Sequence, residues 1–452
     1  MSVYLTQLAI LIGILVAGTA VIWVLQQRRS PQSALAWILF ILTVPYLGVP
    51  LFFTLGVRKW AAGYSPMHYQ PAGNVPVLHP LDDKLRRLGV PPATDENRMI
   101  FEFIPSEAHD ALCALIEGAE ERIDVILYRL ETDAEARHFL AQLATAARRG
   151  VRVRLILDGI GTWRRPRKAL NVLKKAGAEV HIFAPLIQRL ATVRMNLRNH
   201  RKMLIADGRV VWAGGRNVGN VYQGPPGKFQ RWQDVSFTLR GPVVQRFCEV
   251  YEADWEKVTH SRERWPQAVP PEEDGTALVQ LVGSGPDHEH DALHDALVHA
   301  VHLAENRIWI ATPYFLPTDD LNHALALAAR LGRDVRILVP VKSNQPLADF
   351  ARGAYLRELH EAGCRILRYQ DGMMHGKAML IDDIAWTGSA NVDVRSMFLN
   401  FEIALMVYDP EHVAALARWF AGLEADCVPG IKRARLPRRL AEATFRLGAP
   451  IL

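Results

Sequence analysis

The pattern His-x-Lys-x4-Asp occurs twice in this chain, as His200, Lys202 and Asp207 in NHRKMLIAD and as His375, Lys377 and Asp382 in MHGKAMLID. Each copy runs on into a tryptophan-led stretch with glycine and asparagine, WAGGRNVGN from Trp212 and WTGSANVDV from Trp386. A single motif of this kind arises readily by chance, whereas two copies with the same sequel do not. Doubling supplies two imidazoles, so one can attack while the other moves protons. In an extended segment residues i and i+2 share a face, which sets each lysine beside its histidine. A fixed ammonium there suits a phosphoryl group, whose oxygens stay anionic through the transition state. The two lysines give the charge that a divalent ion would otherwise supply, so the reading requires no metal and no other cofactor.

Four further residues complete the candidate site. Asn217 and Asn391 offer neutral donors to phosphate oxygens, and Gly214, Gly215 and Gly388 let the backbone approach closely. A working imidazole needs an acceptor at its second nitrogen. Asp234 in RWQDVSF and Glu402 in LNFEIAL lie in apolar surroundings, where an unpaired carboxylate is costly, so each is expected to orient a histidine. Asp207 and Asp382 are grouped with the catalytic residues, although their place at a strand end equally suits a turn.

The elements that must position these groups repeat. From Ala114 the chain reads ALIEGAEERIDVILYRL, AARRGVRVRLILDG, LKKAGAEVHIF and the first motif; from Ala296 it reads ALVHAVHLAENRIWIATPYF, AARLGRDVRILVPV, LHEAGCRILRY and the second. Apolar spacings of three and four alternate with short Val/Ile-rich runs, which predicts helices alternating with strands in an α/β arrangement. The divisions expected are 1–60 in the membrane, a Pro/Gly-rich linker at 61–98, one lobe at 99–268, a hinge around Pro270 to Gln280, a second lobe at 276–430, and a basic tail at 431–452. In that tail Leu436, Leu440, Phe445 and Leu447 alternate with Arg and Lys, as in a helix lying on anionic headgroups.

Leu5 to Leu25 and Ala34 to Val57 carry no charge, and each exceeds the roughly 18 residues that suggest a bilayer span. Two spans make a transmembrane hairpin, with Trp23, Trp37 and Trp60 near the run ends. MSVYLTQ lacks the positive start of a signal peptide. Arg28 and Arg29 between the runs and Arg58 and Lys59 after them do not choose an orientation. With 452 residues, half of them apolar, and a net charge of +6, the chain can bury a large core and favours an anionic partner. Cys113, Cys248, Cys364 and Cys427 are scattered without metal-ligand spacing.

These residues resemble the phospholipase D superfamily, whose members carry two such motifs, and within it the membrane-bound bacterial cardiolipin synthases. The likeness covers nearly the whole chain and includes SALAWILFILTVPYLGVPLFFTLG, WQDVSFTLRGPVV, TPYFLP, HGKAMLID and NVDVRSMFLNFEIAL. It implies two pseudo-symmetric lobes of mixed β-sheet flanked by helices, one active site between them, and a catalytic body on the cytoplasmic face of the inner membrane. It also implies phosphatidyl transfer from one phosphatidylglycerol to another, through a phosphohistidine, with release of glycerol. Either histidine can be the nucleophile on this reading. Hydrolysis to phosphatidic acid uses the same residues. A nuclease of the superfamily has no use for a membrane hairpin, so nucleic acid is not expected as a partner.

Overall fold

The computed structural model describes residues 2–27, 31–56, 64–70, 75–185, 196–225, 230–261 and 275–447. Seven strands form the first half: β1 Thr94–Glu102, β2 Arg122–Leu127, β3 Arg152–Asp158, β4 Glu179–Phe183, β5 Met203–Ala206, β6 Val210–Gly214 and β7 Ser236–Arg240. The second half holds β8 Ala277–Ser284, β9 Arg307–Ala311, β10 Phe315–Leu316, β11 Asp334–Pro340, β12 Arg365–Tyr369, β13 Ala378–Ile381, β14 Ile384–Gly388, β15 Val392–Asp393, β16 Glu402–Val407 and β17 Cys427–Pro429.

The first half is ordered β1-β7-β6-β5-β2-β3-β4, and the second repeats it as β8-β16-β14-β13-β9-β11-β12, with β17 added at the edge. In each half three strands run parallel, β2-β3-β4 and β9-β11-β12, and the motif hairpins β5-β6 and β13-β14 are antiparallel. The halves join edge to edge where β1 pairs antiparallel with β8, Thr94 opposite Val279. The result is a single 15-stranded mixed sheet. On one face an apolar layer including Phe237, Phe247 and Trp255 continues across that seam to Leu338, Leu380 and Phe420, while the other face has a separate cluster under each half. At roughly 1.5–3 kcal/mol per buried large apolar side chain, this shared layer helps hold the two halves together.

The parallel strands need crossover helices. Ala134–Arg148 and Arg167–Lys175 serve the first half, and Asp319–Arg330 and Pro346–Glu361 the second. Asp133 and Thr318 cap two of them by accepting from Ala136 and Leu321 N–H. Each of the four is followed by a glycine at positive φ (Gly150, Gly177, Gly332 and Gly363), the residue that continues a chain past a helix end without strain.

The segment expected to be a linker is only partly one. Helix Pro80–Arg87 buries Leu81 and Leu85 against the second half, Asp82 bonds Arg86, Ala93 N–H and Gln280, and β1 begins at Thr94. The short helix was hidden because two prolines and a single turn of apolar residues give no extended periodicity. The hinge shrinks likewise, since β8 starts at Ala277; residues 270–274 lie outside the described set. Helix Leu436–Leu447 in the tail docks on Pro346–Glu361, through Phe445 against Phe350 (5.6 Å) and buried Glu442 against Arg357, with Arg438 of its own helix also paired to Glu442. Phe445 therefore faces protein rather than lipid, while Leu436 and Leu440 stay exposed beside Arg435 and Arg439.

Ser2–Gln26 is one helix of 25 residues, about 37 Å long and enough for a hydrocarbon core of about 30 Å. Its Leu5, Leu8, Leu11, Ile14 and Leu15 are exposed, as lipid-facing residues would be. The second apolar run is helical in pieces: Pro31–Thr43, then Pro45–Leu51 and a π-helical turn Phe52–Gly56. Val44 leaves the helix because Pro45 disfavours the α conformation before it. The 13-residue piece reaches only about 20 Å, so the second run is not one straight span. Ala17, Ala20 and Val24 nonetheless pack with Ile41, Val49 and Phe52, so the two runs form a hairpin. The flanking charges Arg28, Arg29, Arg58 and Lys59, with Trp60, lie outside the described residues.

Candidate active site

His200 and His375 lie in extended segments just before β5 and β13, not inside the strands. Each segment is held by the opposite half of the molecule. His200 N–H donates to Phe401 O (2.9 Å) and Phe401 N–H to Arg198 O (2.9 Å). By the same pattern His375 N–H donates to Gln233 O (2.6 Å) and Gln233 N–H to Met373 O (2.9 Å). Phe401 immediately precedes Glu402, and Gln233 immediately precedes Asp234. The backbone exchange therefore crosses the carboxylates over. Glu402 Oε1 lies 2.9 Å from His200 Nδ1, and Asp234 Oδ2 lies 2.6 Å from His375 Nδ1. Both expected orienting residues are in place, each serving the histidine of the other half.

The supports of these carboxylates are short and buried. Ser389 Oγ donates to Glu402 Oε2 at 2.5 Å, and Val235 N–H donates to Asp234 Oδ1 at 2.8 Å. Burial works to raise both acids, but His200 and Lys202 around Glu402, and Lys377 and His375 around Asp234, override it and hold each carboxyl below its usual range. An ionised acceptor at Nδ1 fixes the proton there and leaves Nε2 bare. Burial, reinforced by the Lys377 charge, lowers His375 to about 3. Burial lowers His200 as well, against the pull of Glu402. Burial thus disfavours the charged form of both rings and favours the uncharged form that a nitrogen nucleophile needs.

Lys202 and Lys377 are fully buried beside them, each donating from Nζ to its own histidine's carbonyl. Lys377 Nζ also lies 3.2 Å from His375 Nε2. Desolvation lowers Lys377 to about 8 and pushes Lys202 well below its ordinary value. An incoming anion compensates both charges.

A cavity of about 140 Å³ is lined by both histidines, by Asn217 and Asn391, and by Tyr128, Tyr222 and Tyr314. Asn217 Oδ1 accepts from Arg129 N–H (3.0 Å), and its side chain also meets the Tyr222 hydroxyl at the cavity wall. Asn391 Oδ1 is buried with no partner among the described residues. Arg129, Arg198 and Arg395 add guanidinium groups to the wall. The tyrosines and arginines were missed in the sequence, yet a signal existed. Tyr128 in ILYRL and Tyr314 in ATPYF follow corresponding strands, β2 and β9, of the repeat. Tyr128 packs edge-on to His200 at 4.6 Å, and Tyr222 to His375 at 5.5 Å.

The third residue of each motif stands elsewhere. Asp207 accepts from the N–H groups of Glu120, Glu121 and Arg122, and Asp382 from those of Glu305, Asn306 and Arg307. Both sit in the tight turns after β5 and β13 at φ of +52° and +49°, where Asp is among the few tolerated residues. Neither lines the cavity. Three backbone donors occupy each carboxylate at the far end of its strand, which is the turn role open to both residues.

A family model described as "Cardiolipin synthase, PLD-like domain" matches residues 112–222 and 297–423, and one described as "Phospholipase_D-nuclease N-terminal" matches 14–56. The chain is 32% identical over 464 residues to cardiolipin synthase 1 of Bacillus cereus, covering 94% of this chain and 90% of that protein. It is 29% identical over 452 residues to the cardiolipin synthase of Geobacillus kaustophilus, with the same coverage. Among solved structures, the phosphatidylserine synthase of Haemophilus influenzae shares the fold, with a TM-score of 0.61 at 15% identity over 81% of this chain and 98% of that one. With matched segments spanning both halves and an apolar N-terminal helix that associates it with a membrane, the chain belongs to the phospholipase D-like cardiolipin synthase family.

Proposed function

We propose that this protein is a cardiolipin synthase that joins two phosphatidylglycerol molecules and releases glycerol. The observation that carries the reading is the pair of carboxylate-held histidines lining one cavity. In the first step His200 Nε2 attacks the donor phosphorus, the bond to the glycerol oxygen breaks, and His375 gives that oxygen a proton. Lys377, whose Nζ lies 3.2 Å from His375 Nε2, lies where it can lend the ring that proton and recover it when the acceptor's hydroxyl is deprotonated in the second step, and an arriving phosphodiester raises the proton affinity of both groups. In the second step His375 takes the proton of the acceptor's hydroxyl, whose oxygen displaces His200 from phosphorus. Lys202, Lys377, Asn217 and Asn391 hold the phosphoryl oxygens, while Asp234 and Glu402 orient the rings.

The cavity has room for a phosphodiester but not for acyl chains, which must leave through its mouth. Two exposed apolar groups stand close to residues of the wall. Trp163 is 59% exposed on the loop of Gly161, where an added Cβ would lie 2.0 Å from Tyr128 O. Leu347, 49% exposed, adjoins cavity-lining Ala348. With Arg164, Arg165, Arg167 and Lys168 beside Trp163, this rim suits an anionic lipid surface. On this reading the N-terminal hairpin is multi-pass, and the body works on the cytoplasmic face of the inner membrane.

The test is purified His200→Ala and His375→Ala protein in phosphatidylglycerol vesicles, with products followed by mass spectrometry. Wild type forms cardiolipin and glycerol and each variant loses nearly all of it. Near-normal synthesis by either variant overturns the shared site, and phosphatidic acid as the main wild-type product replaces the transferase reading with hydrolysis.

A further inference from the structure

Away from the cavity, two helices that cover the first half of the sheet bring together a second group of chemically able side chains. His109 and Cys113 are one turn apart on Pro105–Gly118, so they share a face. His138 lies on the neighbouring helix Ala134–Arg148, its ring stacked on His109 at 5.8 Å. One ligand atom from each of the three lies within 4.8 Å of the others. His109 Nε2 and Cys113 Sγ are 3.5 Å apart, matching the ~3.5 Å between nitrogen and sulfur on a tetrahedral zinc ion.

The surroundings prepare His109 for this role. Glu135, 6% exposed, places Oε1 2.7 Å from His109 Nδ1. A carboxylate at Nδ1 turns the ring so that Nε2 faces the thiol, the arrangement that orients metal-bound histidines. His138 is exposed and free to turn inward, and the side facing solvent leaves a fourth position for water. We infer that His109, Cys113 and His138 form a site for a borderline-soft divalent transition ion, with zinc the best fit. Two imidazoles and one thiolate suit zinc or cobalt and not magnesium or calcium.

The site clamps the two helices together. The second begins next to Asp133, which accepts from Asn220 N–H at 2.7 Å, in the loop that follows Asn217. Metal there stiffens the support of the cavity wall without touching the reacting groups.

The experiment uses the full-length, detergent-solubilised protein without a polyhistidine tag, stripped with chelator and then given one equivalent of zinc or cobalt. Expected are one ion per chain by elemental analysis, a sulfur-to-cobalt charge-transfer band, and a melting temperature raised by about 2 °C or more. The band disappears in Cys113→Ser, binding weakens at least about tenfold in the exposed variant His138→Ala, and Cys427→Ser keeps both. Zinc also slows alkylation of Cys113 in the wild-type protein, read by peptide mass spectrometry, which needs no variant. Failure of wild type to hold an ion, survival of the band without Cys113, or alkylation indifferent to zinc overturns the site. None of these readouts depends on lipid chemistry, so the failure of this inference and that of the proposed function are distinguishable.

Discussion

The crossing of the two carboxylates makes Glu402→Gln a sharp perturbation. Glutamine keeps the size of the side chain and one oxygen for His200 Nδ1–H, now 2.9 Å away, while removing the charge that stabilises the ring as it becomes phosphorylated and cationic. Losing a charge-assisted hydrogen bond costs about 1.5–3 kcal/mol, or a roughly 10- to 150-fold fall in kcat. If the amide instead turns its N–H2 toward Nδ1, the ring takes its other tautomer and Nε2 loses the lone pair that attacks, and the fall approaches ~10⁴. Ser389, which donates to Oε2 at 2.5 Å, opposes that turn because its hydroxyl can instead accept from the new N–H2. The assay is single-turnover cardiolipin formation in phosphatidylglycerol vesicles, with acid quench and detection of phosphohistidine. Glu402→Gln slows chiefly the formation of the covalent species, whereas Asp234→Asn, acting on His375, slows both its formation and its breakdown. If Asp234→Asn alone blocks the intermediate, the roles of the histidines are reversed. If Glu402→Gln keeps more than half the wild-type rate, the carboxylate does not prepare His200 at all.

Three further outcomes follow from the geometry. A methyl group at Gly215 would meet Asp234 Oδ1 at 2.2 Å, so Gly215→Ala displaces that carboxylate from His375 and lowers kcat by roughly 10- to 100-fold, with KM and the circular-dichroism spectrum little changed. Asp382→Ala strips three backbone N–H groups of their acceptor and places alanine at φ of +49°, at a cost of about 1–3 kcal/mol. Thermal unfolding shows the loss, while activity per folded molecule stays within about threefold of wild type, contrary to a catalytic aspartate. His375, lowered from 6.5 to about 3 chiefly by burial, refuses in the folded state a proton that the unfolded chain accepts. Its contribution to stability is therefore full above pH 6.5 and lost as the pH falls toward 3, by about 1.4 kcal/mol per unit and up to about 4–5 kcal/mol in all. Denaturant unfolding at pH 7 and pH 5 shows that decline in wild type, and His375→Gln flattens it.

The doubled motif let the sequence reveal much of the site because its logic is local. His-x-Lys places two side chains on one face whatever the fold, and a buried carboxylate must find a cation or an imidazole. The repeat likewise exposed the order of helices and strands, since amphipathic helices alternating with short apolar strands leave a periodic trace. What stayed hidden depends on contacts that no local pattern encodes. The seam between β1 and β8 turns two sheets into one, yet strand pairing across 180 residues leaves no periodicity behind. The same holds for the Asp motif residues, whose three backbone partners lie 75 to 87 positions earlier in the chain.

The crossed carboxylates were nearer to legible than they looked. In each half the orienting acid lies at or just before the start of a strand downstream of its motif, which suggests pairing within the half. Yet strand order forbids it: β6 lies between β5 and β7, and β14 between β13 and β16, so the segments leading into β5 and β13 meet their exchange partners across the molecular twofold. Neither half then holds a complete site, because each owns a histidine that only the other can orient. A half expressed alone would bury an ionised acid without its imidazole and expose the seam strand. Duplication in this chain therefore builds the site: two incomplete halves, joined at β1 and β8, give each ring its acceptor and bring both to one cavity.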